Sequence, residues 1–245
     1  MTLLAVHGLT KAFDGHLAVD NVSFSVDAGR VVALIGPNGA GKSTCFNMLN
    51  GQLRPDAGEI RLDGQRIDGK SPEALWRAGI GRGFQVASVF ASMTVLANAR
   101  AALLAGRGRV WRFLGRAQDE GTEEAVSLLA RTGLLALAGR VCGTLAYGDL
   151  KRLELALAIA NRPKLLLLDE PTAGMGAADR QAVGEMIRSL VDGTGCGVLL
   201  TEHDTDLVFA LADHVLVLDR GRLIASGPAS TVRTDPAVRA AYLGT

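Results

Sequence analysis

Residues 31–44 read Val-Val-Ala-Leu-Ile-Gly-Pro-Asn-Gly-Ala-Gly-Lys-Ser-Thr. Val31 to Ile35 is an apolar run with β-branched residues, the pattern of a buried strand. Gly36 ends it, and Gly36, Gly39, Gly41, Lys42 and Ser43 sit in the spacing G-x-x-x-x-G-K-S. From Thr44 to Asn50 apolar residues recur at helical spacing. Strand, glycine loop and helix in that order are the setting a phosphate-binding loop requires. Glycines let successive backbone N–H groups turn inward around an anion, where a Cβ would block the approach. The following helix aims its positive end at the same place. Lys42 can reach the β- and γ-phosphates of a nucleotide, and the Ser43 hydroxyl can ligate Mg²⁺. The plain alternative, a glycine-rich turn before a helix, does not explain eight positions in register.

Composition narrows the rest. At 245 residues the chain suits one large α/β domain or two small ones, and 48% hydrophobic residues supply a full core. A net charge of +1 and 4% aromatics argue against a dedicated nucleic-acid surface. Cys45, Cys142 and Cys196 are few, odd in number and far apart, which suits a reducing compartment and no zinc site. Cys45 reads as packing at the helix start. Neither a leader nor an apolar stretch of the roughly 18 residues needed to cross a bilayer is visible, so the expected chain is soluble and reaches a membrane only by docking.

Residues 2–9 and 19–27 alternate apolar and polar and are expected as half-exposed antiparallel strands. Asp14-Gly15 marks a tight turn between them and leaves Phe13 beside a loop, placed either to stack on a base or to pack on the sheet. Glu59–Leu62, between two turn signals, is expected as a hairpin strand added to that sheet. A short helix at 72–78 capped by Ser71, and a strand at 80–85 ending in Gln85, follow. Residues 94–140 read as mainly helical. Within them five arginines (100, 107, 109, 112 and 116), Trp111 and Phe113 make either a surface for headgroups or a partner, or an ordinary solvated face.

Two further strand ends carry polar chemistry. Four leucines lead into Asp169-Glu170, and a buried strand expected from Gly197 ends at His203. Ligands sit at such carboxyl ends in parallel sheets. Asp169 reads as a Mg²⁺ partner across from Ser43, and Glu170 as a base for an attacking water. Leu145-Ala-Tyr-Gly-Asp149 precedes a Leu- and Ala-rich helix expected at 150–161, a second potential anion site at a helix start.

In this order, Phe13, Gly36–Ser43, Gln85, a helical stretch, Leu145–Asp149, Leu165–Asp169, Glu170 and His203 closely resemble the nucleotide-binding subunit of an ABC transporter, over essentially the whole chain. Phe84-Gln85, Met93-Thr94-Val95, Leu-Ala-Tyr-Gly, Glu170 to Met175 and the Ala241-Tyr242-Leu243-Gly244 ending are most similar to the ATP-binding proteins of branched-chain amino acid importers, with urea and amide importers next. The resemblance implies one α/β domain over 1–245: a RecA-like P-loop NTPase core with a parallel sheet, an antiparallel β subdomain, and a helical subdomain inserted at about 87–160. It implies an ATPase using ATP and Mg²⁺. Phe13 would meet the base, and Gly36, Asn38, Gly39, Ala40, Gly41, Lys42, Ser43 and Thr44 the phosphates. Ser43, Gln85 and Asp169 would hold Mg²⁺, with Glu170, His203 and Gln85 catalytic. Tyr147 and Gly148 would face the nucleotide of a second ATP-binding subunit. The implied partners are that subunit, transmembrane permeases and, indirectly, a periplasmic or extracellular binding protein. No nucleic acid is implied, and the implied place is the cytoplasmic face of the membrane. The family pattern is departed from at three positions: Ala146 replaces its usual serine, Asp149 its glutamine, and Gly176 an aspartate. A soluble ABC ATPase acting on DNA or ribosomes usually carries coiled-coil insertions or tandem cassettes, which this chain lacks. In a small kinase the 145–149 segment and His203 have no place.

Overall fold

The first two strands, β1 (Thr2–Phe13) and β2 (His16–Asp27), form one long hairpin. They run further than the alternation at 2–9 and 19–27 suggested. The reason is the two-residue turn: Asp14 and Gly15 both take positive φ, 47° and 83°, which matches the twist of paired strands and lets pairing continue to Phe13 and His16. The computed structural model describes residues 1–83, 89–106 and 121–240. Gln85, Phe84, Trp111, Phe113, the arginines at 107, 109, 112 and 116, and the chain's last five residues lie outside the described residues.

After β3 (Val31–Ile35) and α1 (Lys42–Leu49), β4 (Ala57–Leu62) returns to pair with β1, and the short β5 (Gln65–Arg66) closes a four-stranded antiparallel sheet in the order β2-β1-β4-β5. The expected Ser71 cap is present: its hydroxyl accepts the Ala74 amide at the start of α2 (Pro72–Ala78). Next come β6 (Ile80–Gly83), α3 (Val95–Gly106), α4 (Thr122–Arg131) and α5 (Tyr147–Ile159). The core strands and helices follow: β7 (Leu165–Asp169), α6 (Ala177–Thr194), β8 (Gly197–Thr201), α7 (Thr205–Leu211) and β9 (His214–Asp219). β10 (Arg222–Gly227) and the short helices α8 (Ala229–Val232) and α9 (Pro236–Val238) close the described chain.

The second sheet has the order β10-β9-β3-β8-β7-β6, parallel throughout except for β10, which pairs antiparallel at one edge. Its inner strands explain the uninterrupted apolar runs. In β3, Val31, Ala33 and Ile35 join one core, while Val32 and Leu34 join the other. Leu166 and Leu168 of β7 face the first, and Leu165 and Leu167 the second. A strand covered on both faces has no polar positions to alternate with. The first core lies under α3 to α7; the second lies between the two sheets and takes in α1.

Candidate active site

Register alone brings the chemistry together. Leu34 of β3 sits opposite Thr201 of β8, and Thr201 sits opposite Asp169 of β7. The carboxyl ends of three neighbouring parallel strands therefore finish level. The glycine loop leaves β3, Asp169 and Glu170 end β7, and His203 lies two residues beyond β8. This is where an open parallel sheet binds its ligand.

The loop itself is dictated by its glycines. Gly36 has φ 150°, and a Cβ there would fall 2.1 Å from the Leu218 carbonyl oxygen. At Gly41, φ is 102° and a Cβ would fall 2.3 Å from the Ala18 carbonyl. Gly39 meets no neighbour and needs glycine only for its φ of 80°. Asn38 and Gly39 are exposed at the loop's crest, Ala40 is buried beneath it, and Gly41 is the N-terminal cap of α1. Ser43 on the first turn is exposed and Thr44 half-buried. The Lys42 side chain is buried, and its ammonium donates to the carbonyls of Gly36 at 2.7 Å and Pro37 at 3.1 Å. Burial pulls the Lys42 pKa below its ordinary value, against the pull of the Glu170 and Asp169 carboxylates. Those two acids are thus within electrostatic reach of the loop.

Across the site, Thr201 Oγ1 donates to Asp169 Oδ1 at 2.6 Å. The Glu170 amide donates to the Thr201 carbonyl and hydroxyl, at 3.1 and 3.0 Å. These bonds hold Glu170 at φ 50°, a left-handed conformation that non-glycine residues seldom adopt. Pro171 follows it and disfavours the right-handed alternative. The carboxylate then meets the His203 ring, with Nε2 2.9 Å from Oε1; since a carboxylate only accepts, Nε2 carries the proton. Both side chains keep close to half their surface open to water.

Phe13 ends β1 with 47% of its surface exposed, the open ring a base-stacking role requires. The Lys11 ammonium lies 5.7 Å from its centre, and Asp56 holds this strand end through the Ala12 amide and Lys11. The 145–149 segment departs from expectation: the helix begins at Tyr147, so Gly148 and Asp149 lie in its first turn rather than in a loop before it. Tyr147 donates to the Ala173 carbonyl at 3.1 Å, and a Cβ on Gly148 would come within 2.9 Å of the Asp179 carboxyl. These two residues are therefore gathered beside the 173–179 stretch. Asp149 is paired with Arg152 on its own helix, which offsets its charge.

Sequence reasoning missed four residues that brace these parts. Thr201 is the hub just described. Glu202, 3% exposed, accepts from both the amide and the hydroxyl of Thr172. Arg180 donates to the Met175 carbonyl and pairs with Asp204, which in turn caps α7 through the Leu207 amide. Polar residues just past an apolar run look like loop; only their burial and partners set them apart.

Oxygen donors at Ser43 and Asp169 suit a hard cation, and Mg²⁺ bound with a nucleotide takes one or two protein ligands, the rest being water and phosphate oxygens. Among the described residues there is no cluster of three or more His, Cys, Asp or Glu of the kind a dedicated metal cage would need.

The comparisons agree with this geometry. Residues 19–173 match the family model described as ABC transporter, and 222–245 match that of the branched-chain amino acid ATP-binding cassette transporter. The high-affinity branched-chain amino acid transport ATP-binding protein BraF of Pseudomonas aeruginosa is 40% identical, over 99% of this chain and 98% of that protein. An ATP-binding cassette of an ABC transporter, solved in its ADP conformation, superposes with a TM-score of 0.89 at 31% identity, covering 100% of both chains. A dimeric cassette in a post-hydrolysis state with ADP and Pi shares the fold, with a TM-score of 0.76 at 22% identity over 93% of this chain and 99% of that one. The chain belongs to the ABC transporter family as an ATP-binding subunit, an ATPase that works on ATP with Mg²⁺.

Proposed function

We propose that this ATPase powers an importer of branched-chain amino acids, that it works as a pair of ATP-binding subunits on transmembrane permeases, and that its site residues divide the labour as follows. The observation that supports the reading is the level finish of β3, β8 and β7, with Glu170 bonded to His203 and both acids within electrostatic reach of Lys42. Gly36, Asn38, Gly39, Ala40, Gly41, Lys42, Ser43 and Thr44 wrap the phosphates, and Phe13 stacks on the base. Ser43 and Asp169 hold Mg²⁺, joined by Gln85 from outside the described residues; when bound, the ion offsets negative charge on the β- and γ-phosphate oxygens. Glu170 accepts a proton from the attacking water. The His203 Nε2–H, bonded to Glu170 Oε1, fixes the orientation of that carboxylate. Tyr147 and Gly148 present the start of α5 to the nucleotide of the second subunit, where backbone N–H groups and the helix dipole complete the anion cage. Loss of the γ-phosphate weakens the pairing, and the two subunits part.

The chain acts as one ABC ATPase domain over 1–245, with 87–160 as its helical subdomain; that α3, α5 and the parallel sheet share one core supports this. No helix among the described residues is long and apolar enough to cross a membrane. The place proposed for the chain is the cytoplasmic face, against the permeases. The solute is supported by BraF and by the match of residues 222–245. The test is transport by the chain assembled with its permeases and binding protein in vesicles. ATP-dependent uptake of leucine, isoleucine or valine is the expected result; uptake of urea or a short amide with none of these would contradict it.

A further inference from the structure

Glu202 is a costly residue to bury. A carboxyl group taken out of water needs its oxygens satisfied, and a neutral side chain could close a loop at less expense. Here it is 3% exposed, and both oxygens are in use. Oε1 accepts from the Thr172 amide and the Thr172 hydroxyl, each at 2.7 Å, and Oε2 accepts from the His203 amide at 3.2 Å. Thr172 is itself 2% exposed, so this contact is shielded from water. The two segments it joins are the ones that matter for hydrolysis. One runs from Glu170 through Thr172 to the loop at 173–176; the other is the tip of β8 that carries His203. The His203 ring closes the loop of contacts on Glu170 at 2.9 Å. Arg180 makes a second tie of the same kind, from the Met175 carbonyl to Asp204 at 2.9 Å on each side.

We propose that Glu202 is a positioning residue: by gripping Thr172 and the His203 amide together, it holds His203 against Glu170 and links that pair mechanically to the 173–176 loop. This rests on the roles assigned above to Glu170 and His203. Movement of His203 is then transmitted to the loop that meets the α5 start at Ala173 and Gly174, where Tyr147 packs. Water activation at one end and the surface around α5 at the other are thus parts of one braced body.

The test measures steady-state ATPase activity and thermal unfolding on the full chain with Mg-ATP. In Glu202→Gln the volume is kept, but an amide N–H₂ replaces an acceptor facing the His203 N–H. We expect kcat to fall about tenfold, as when a side chain that orients an active-site group is altered, with KM for ATP within about twofold. Thr172→Val removes the hydroxyl bond to Oε1 and keeps the amide bond, so it loosens the same tie from the other end and should lower kcat in the same direction by less. The double variant should be slower than Glu202→Gln alone by less than the product of the two single losses, because both changes loosen one link. A kcat for Glu202→Gln within twofold of wild type overturns the proposal. So do losses that multiply in the double variant, or a KM that rises in step with an unfolding temperature that falls, which is the behaviour of a merely structural residue. If Glu202→Gln does not fold, Glu202→Asp decides, since its shorter side chain cannot reach both Thr172 and the His203 amide: a lower kcat at unchanged KM supports the link, and an unchanged kcat refutes it. Wild-type chain that hydrolyses no ATP would sink the assignment of Glu170 beneath it; active wild type with indifferent variants sinks the link alone.

Discussion

At the residue scale, Glu170 holds the most informative backbone angle in the chain. A φ of 50° on a residue with a side chain costs roughly 1–3 kcal/mol and persists only where neighbours enforce it. Thr201 does so with two acceptors for one amide, and the result is a carboxylate held beside His203. Gly36 has the opposite character, a place where no side chain fits. Gly36→Ala would push a methyl group to 2.1 Å from the Leu218 carbonyl oxygen. The loop and the end of β9 would have to separate, at about 3 kcal/mol. A lowered urea midpoint together with lost ATP binding is the expected outcome; normal values of both would show that the loop moves freely. The glycines, Lys42, Asp169, Glu170 and His203 were all legible in the sequence because spacing after an apolar run marks them. Thr201, Glu202, Arg180 and Asp204 were not, because their meaning comes from partners across the fold.

At the scale of elements, strands were easier to place than helix ends. The apolar run placed β3 at both ends, while β8 stops at Thr201, two residues short of the expected end at His203. α6 runs from Ala177 to Thr194, further than apolar spacing alone marks, since its first turn is set by contacts of Arg180 with Met175 and Asp204. The start of α5 was misplaced for a related reason: Ala146 is a helix cap with no capping side chain, so the usual serine-like signal is missing. α7 shows what a cap contributes. Asp204 accepts the Leu207 amide at 3.1 Å and also holds Arg180. Asp204→Ala should cost about 1–2 kcal/mol from the cap, with little more from the half-exposed ion pair. Denaturant unfolding measures this, and a change under 0.5 kcal/mol, within the range of ordinary surface substitutions, would mean that the cap is idle.

For the whole molecule, two cores on the faces of one parallel sheet explain both the fold and the placing of the site, and the buried thiols offer a check on those cores. Burial raises Cys45 and Cys196 from the ordinary 9.0 to about 12. The unfolded chain therefore releases these protons at lower pH than the folded one, so stability is full below pH 9 and is lost as pH rises toward 12. The urea midpoint should fall between pH 8.5 and 11, and fall less steeply in a Cys45→Ala, Cys196→Ala double variant. Equal slopes in the two proteins would show that the thiols are not sealed in. The central claim is that three strand ends make one hydrolytic site, with Glu170 as its base, and single-turnover hydrolysis by Glu170→Gln tests it most directly. The variant should bind Mg-ATP as tightly as wild type while phosphate release slows by about 10²-fold or more; release at close to the wild-type rate would show that Glu170 is not the base.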